Sequence, residues 1–434
     1  FVMPTVVVAL AFRSLVGSAL PQGFAIVVLA HAYVNLAVVV RIVGSQWAQH
    51  DDRYANAART LGASSITAFR TITLPYLRSS IISSAVVVFI FSFTSLGIIV
   101  LLGDSSTRTL ESQILRRTSV LLDFPAAAAL AVLQLLVICV VIGLGALASR
   151  QRGRQKPVRS ALLSMPTKPA ARMVIRLIAV TSCAIVLLPV LALLLASVRS
   201  HSGLTTSWWT SINAIDAGTT RIGSPIASLA QSVQFAVITG IVASVIGGCA
   251  ALAVLAHRWG RFIAIFAIIP LGVSAATLGL GMLLAFGRPP IDLRASGLLI
   301  PLAHSLVAVP LVVAVITPAL RGIDPRARDV AATLGARPTR AFFTAYGPTL
   351  RTVMLAAGGL ACAVSLGEFG AASFLARTGA PTVPIQIVRL LSRPGEQSYG
   401  VAAVMSVILI AVTLALVLAV DRLGRRSGAL RTSH

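Results

Sequence analysis

The chain has 434 residues, of which 57% are hydrophobic and only 11% charged. A soluble domain is about a quarter charged, so this composition excludes an ordinary globular enzyme and makes the bilayer the solvent. The remaining charge is lopsided, 36 Lys plus Arg against 12 Asp plus Glu, a formal net of +24 that would suggest nucleic acid if it were spread evenly.

In chain order, about ten segments are apolar and long enough to cross roughly 30 Å of hydrocarbon as helices. They lie near 1–17, 22–45, 79–102, 125–149, 173–197, 231–256, 262–286, 297–320, 350–376 and 398–420. Phe1 opens an apolar run with no charged stretch before it. This excludes a signal peptide and reads as a chain whose natural N-terminus lies upstream. Between the spans, one side collects 41–78, 150–176, 257–261, 321–351 and 421–434, with 25 basic residues; the other side holds 11. The positive-inside rule makes the first side cytoplasmic, and the basic excess becomes a topological signal with no nucleic-acid partner. The run Arg150 to Arg176, with eight basic residues, no acid and Pro157, Pro166 and Pro169, reads as a cytoplasmic linker. The expected domains are 1–149, a linker at 150–172, and 173–434.

The chain repeats itself. Leu29-Ala30-His31 recurs as Leu302-Ala303-His304, Leu61-Gly62-Ala63 as Leu334-Gly335-Ala336, Ala68-Phe69 as Ala341-Phe342 and Pro75 as Pro348, all at an offset of 273 residues. Ser95-Leu96-Gly97 and Ser365-Leu366-Gly367 are offset by 270, which predicts a three-residue slip. Six spans separate the two histidine helices, so the copies run parallel across the membrane, unlike the inverted repeats of many secondary transporters. The second copy has six spans and the first four, so two helices are expected ahead of Phe1, twelve spans in all.

Each copy carries a polar segment after its histidine helix. The first runs from Asp51 through Asn56-Ala57-Ala58 to Leu61-Gly62-Ala63; the second runs from Asp324-Pro325 through Asp329-Val330-Ala331 to Leu334-Gly335-Ala336. Asp324-Pro325 supplies an N-cap and a first-turn proline to the second, and small residues with a closing glycine predict a short compact helix in each. These segments resemble the EAA loops of permease subunits of ATP-binding-cassette (ABC) importers. Asn56, Ala57, Ala58 and Gly62 fall on the first motif and Asp329, Val330, Ala331 and Gly335 on the second. The motif's glutamate is replaced in both. The resemblance implies an all-α polytopic membrane protein made of two parallel repeats of a six-helix type I permease core, the first without its two N-terminal helices. It also implies residence in the bacterial inner membrane, two copies of a cytoplasmic ATPase subunit that uses the ATP, and an extracytoplasmic solute-binding protein. Fused halves point to the thiamine and ferric iron permeases. The stretch Leu29 to Asn35 is more like the thiamine group, whose substrate would be thiamine or its phosphate ester.

No covalent chemistry, cofactor or metal site is expected. The two lysines, Lys156 and Lys168, follow Gln155 and Thr167, so neither forms a phosphate-cradling Gly-Lys loop. Cys139, Cys183, Cys249 and Cys362 stand alone in apolar stretches without ligand spacing. Glu368 is the one acid within an expected span, and an intramembrane carboxylate needs a partner or water. It is a candidate for the translocation path, together with His31, His304 and Asn35. The alternative for Glu368 is to accept hydrogen bonds from the backbone around Gly367 and Gly370. Trp208 and Trp209 read as an interfacial belt. The rival class, an ion-gradient-driven secondary transporter, would need more intramembrane ionisable groups than Glu368.

Overall fold

The computed structural model describes residues 3–17, 21–149, 169–212, 224–256, 259–289, 291–293, 296–324, 326–376 and 381–426. Most of the expected linker, 150–168, and Pro325 lie outside the described residues. In the first repeat, helix α1 (Thr5–Val16) is followed by α2 (Phe24–Trp47), α3 (Asp52–Thr60), α4 (Ser65–Ala68), a π-turn, α5 (Leu74–Phe93), α6 (Gly97–Leu102), α7 (Leu110–Ser119) and α8 (Phe124–Ser149). The second repeat begins with α9 (Pro169–Ala196), the hairpin β1–β2 (Arg199–Ser200 with Gly203–Leu204), α10 (Ser207–Thr210) and α11 (Pro225–Ala256). Then come α12 (Gly260–Ile268), a 3-10 turn, α13 (Ala275–Ala285) and the hairpin β3–β4 (Gly287–Arg288 with Ile291–Asp292). The chain continues through α14 (Leu299–Arg321), α15 (Arg326–Thr333), α16 (Pro338–Gly367), α17 (Gly370–Leu375), α18 (Val383–Leu391) and α19 (Glu396–Arg426).

Among the described residues, eight helices are long and apolar enough to span. Two of the expected ten fall short of that length: 1–17, whose helix α1 has 12 residues, and 262–286; and at three places a helix breaks inside an expected apolar run. The segment 262–286 is α12 and α13 joined by the turn at Ile269–Gly272, where Pro270 cannot donate to a continuing helix. The segment 79–102 parts at Ser95 and Leu96, and 350–376 parts at Glu368 and Phe369. Helix α9 starts at Pro169, four residues before the expected boundary.

The three-residue slip expected at these breaks is absent. The Ser95 amide donates to the Ser92 carbonyl and the Glu368 amide to that of Ser365; Val100 donates to Leu96 and Ser373 to Phe369. Every one of these pairs keeps the 273 offset, so Ser95, and not Ile98, is the counterpart of Glu368. Gly97 and Gly370 open the two half-length helices that follow.

The repeats exchange helices. Residues Val6 to Ala11 of α1 are fully buried in a core shared with Leu193 of α9, Ile387 and Leu390 of α18, and Val401 to Ala403 and Leu409 of α19. Ser14 Oγ meets Tyr399 Oη at 2.8 Å, and Tyr33 on α2 donates to the Val186 carbonyl on α9 at 2.8 Å. In the opposite direction, Leu280 of α13 packs with Ile114 of α7 and with Ala127 and Ala131 of α8. Lipid offers no hydrophobic drive for helix association, so close packing and polar contacts hold this seam.

Candidate functional site: paired surface helices and a cavity at the seam

The two EAA-like segments fold alike, residue for residue. Asp51 Oδ1 accepts from the Arg53 amide at 3.0 Å and Asp324 Oδ1 from the Arg326 amide at 2.9 Å, capping α3 and α15. At the other end, the Ala63 amide donates back to Ala58 and the Ala336 amide to Ala331. Gly62 and Gly335 adopt φ of 93° and 82°. This is a Schellman-type stop, which needs a left-handed residue and therefore favours glycine. Neither helix buries a residue. Asn56, Ala57, Asp329 and Val330 are exposed, and Ala58 and Ala331 are half-buried. Leu61 and Leu334, which sequence reasoning counted only as part of the repeat, are 89% and 82% exposed just before the glycines. Two matching apolar knobs thus stand on two matching caps. The signal that could have found them was the repeat itself, which keeps leucine beside each glycine.

Between the repeats lies a cavity of about 250 Å³, walled by the start of α1, by α2, and by all three helix breaks. Of the candidate path residues, His31, Asn35 and Glu368 line it. His31 Nδ1 donates to the Val27 carbonyl at 2.8 Å, leaving its Nε2 as the lone-pair nitrogen. Asn35 Nδ2 donates to the His31 carbonyl at 2.9 Å and to Ser92 Oγ at 3.1 Å. Glu368 is the C-cap of α16, and its Oε1 accepts from the Ala371 amide at 3.3 Å, so it holds the broken backbone while facing the cavity. His304 is placed elsewhere: it is 1% exposed, with Nδ1 2.8 Å from Ser365 Oγ. Ser365 in turn donates to Thr239, which donates to the Pro301 carbonyl. Equal positions in the sequence have therefore become a cavity histidine in one repeat and a packing histidine in the other.

Sequence reasoning missed one acid. Glu111, assigned to a loop, is 0% exposed on α7, with Gln134 Nε2 2.6 Å from its Oε1. As a first-turn acid after the Thr109 cap it looks like an ordinary surface residue, and only the fold puts it inside. Trp208 also differs from its expected belt role: it is 9% exposed and donates to the Arg199 carbonyl at 3.2 Å, pinning the hairpin. Among the described residues no group of His, Cys, Asp and Glu is placed to hold a metal ion.

The comparisons agree with this architecture. Residues 1–153 match the family described as binding-protein-dependent transport system inner membrane component. A protein of Salmonella typhimurium LT2 named as a 2-aminoethylphosphonate transport system permease, PhnV, is 25% identical over 244 residues, 56% of this chain and 90% of that relative. A second component of that name, PhnU of Salmonella typhi, is 33% identical over 149 residues, 33% of this chain and 51% of the relative. The chain spans about half the length of PhnU. This chain is an inner-membrane permease of the ABC importer type. The permease is accordingly a multi-pass membrane protein and not an enzyme. Its family implies work with an ATPase and a binding protein. An ion-gradient-driven secondary transporter does not fit these matches.

Proposed function

We propose that the permease forms both halves of the translocation path of an ATP-driven importer and carries 2-aminoethylphosphonate or a close organophosphonate. The observation that carries the substrate reading is that one chain of two repeats is similar to both PhnV and PhnU, two permeases named for one transport system. The likeness of the Leu29 to Asn35 stretch to thiamine permeases supports thiamine less directly, and ferric iron rests on fusion of the halves alone. In this reading residues 1–149 and 173–434 are the two halves. Each presents its EAA-like helix, α3 or α15, to one of two ATPase subunits on the cytoplasmic side, the side favoured by the 25 to 11 division of basic residues. ATP-driven approach of the ATPases rocks the halves, which alternates access to the cavity lined by His31, Asn35 and Glu368.

Cells expressing the permease with its neighbouring binding protein and ATPase should take up labelled 2-aminoethylphosphonate. The double variant Gly62→Arg plus Gly335→Arg should stay in the membrane but lose both uptake and ATPase co-purification. Uptake that survives the double variant would remove the docking role; uptake of thiamine or ferric iron in place of the phosphonate would remove the substrate reading.

A further inference from the structure

Glu111 belongs to neither the docking surface nor the described cavity wall, yet it is wholly buried. Its surroundings offer little to hold a charge. Helices α8, α13 and α17, which pack around α7, contain no Asp, Glu, Lys, Arg or His. The titratable Cys139 of α8 is exposed. On α7 itself Arg116 is exposed and Arg117 pairs with Asp123 at 2.9 Å. Among the described residues, the ionisable group whose charge acts on Glu111 is the carboxyl of Glu368, across the seam. An ionised carboxylate in such a place costs several kcal/mol, and a charge on Glu368 would repel it.

The hydrogen bonding is unfinished in one specific way. Gln134, 1% exposed on α8, is joined to Glu111 by the 2.6 Å contact. Glu111 Oε2 and Gln134 Oε1, the remaining oxygen on each group, are buried without a partner. A buried acceptor left open costs about 1–3 kcal/mol. Two acceptors cannot satisfy one another, but a single proton on the carboxyl lets them do so. The 2.6 Å separation is short for N–H···O and ordinary for O–H···O, so exchanging the amide's O and N leads to the same requirement of one proton.

We propose that Glu111 is a proton-binding site, a neutral carboxylic acid closed onto the Gln134 amide by two hydrogen bonds, at the seam between the repeats. The proton comes from water onto a carboxyl oxygen and returns to water when the pair is hydrated; no bond other than O–H forms or breaks. The Ser274 hydroxyl, N-cap of α13, stands beside the carboxyl. The pair thus touches the second repeat where α13 begins, and parting of α7 from α13 exposes it. The matching positions in the other repeat, Pro384 and Val407, carry no ionisable group, so the site exists on one side of the molecule only.

The test is infrared difference spectroscopy of the full chain in lipid nanodiscs. At neutral pH the wild type minus Glu111→Gln spectrum should contain a protonated-carboxyl C=O band that shifts in deuterated water. The band should move to a different frequency in Gln134→Leu, which retains the acid and loses its partner. A carboxylate band alone, at neutral pH, overturns the proposal, as does a C=O band indifferent to Gln134→Leu. Should Glu111→Gln fail to insert, wild type against Gln134→Leu decides the matter. Because uptake plays no part in the measurement, its failure would leave the transport reading standing.

Discussion

Gly62 and Gly335 close their helices with φ of 93° and 82°, and a Cβ on either would meet nothing within 4 Å. Substitution by alanine is therefore penalised through the backbone alone, by about 1 kcal/mol for a left-handed non-glycine residue. Because α3 and α15 are exposed and bury nothing, that penalty falls on a local unit. Gly62→Ala should speed amide exchange across 52–63 several-fold while the thermal midpoint of the whole protein hardly moves; Gly44→Ala, at an equally open helical position, should leave exchange unchanged. Equal exchange in the two variants would mean that the cap does not rely on glycine. The glycines were legible in the sequence because their role is local: caps and turns are set by neighbours within five residues. The separate fates of His31 and His304 were not legible, since whether an imidazole faces a cavity or a Ser365 hydroxyl depends on helices 61 residues away. Glu111 escaped for the same reason.

At the scale of elements, the broken helices decide how closely helices approach within each repeat. Where α13 crosses α17, a Cβ on Gly279 would lie 2.8 Å from both Cα and O of Ala371, backbone atoms that cannot swing aside. Where α1 crosses α6, a Cβ on Gly97 would lie 2.5 Å from Thr5 Oγ1. These are small-residue crossings of the kind that lets membrane helices pack backbone to backbone. Gly279→Ala overpacks its crossing and should destabilise the protein in detergent by about 1–3 kcal/mol, whereas Gly281→Ala, with open space around it, should be near neutral. Comparable melting of the two variants would show that the crossing yields. The long spans were readable because about 20 apolar residues in a row have few alternatives in a bilayer. Their interruptions were not, because a run apolar on every face contains no periodic signal to mark where a helix stops. At 262–286 only Pro270 and Gly272 hinted at the break, and at 367–370 the glycines did; elsewhere prolines such as Pro310 and Pro318 sit inside the intact helix α14.

At the scale of the whole molecule, the seam explains how a protein can be built as two repeats and still act as one. Helix α1 belongs to the first repeat by sequence but is buried among α9, α18 and α19 of the second, and α13 returns the exchange against α7 and α8. Any relative motion of the repeats then works against these exchanged contacts, and the cavity lined by the helix breaks is the space such motion would open or close. The exchanged helices already bury apolar surface of each repeat against the other, so association should not depend on the covalent connection. Cutting the gene between the codons for residues 149 and 169 and co-expressing the two pieces tests this directly. The pieces should co-purify through a tag on either one and retain the thermal midpoint of the intact chain to within a few degrees. Substituting Ala9→Trp, at a position of α1 with no exposed surface, should separate them. If the unmodified pieces elute apart, the exchanged helices do not hold the repeats together and the connection does. If the Ala9→Trp pieces stay joined, the α1 contact is not the one that matters, and the reciprocal contact of α13 with α7 and α8 becomes the hinge of the assembly.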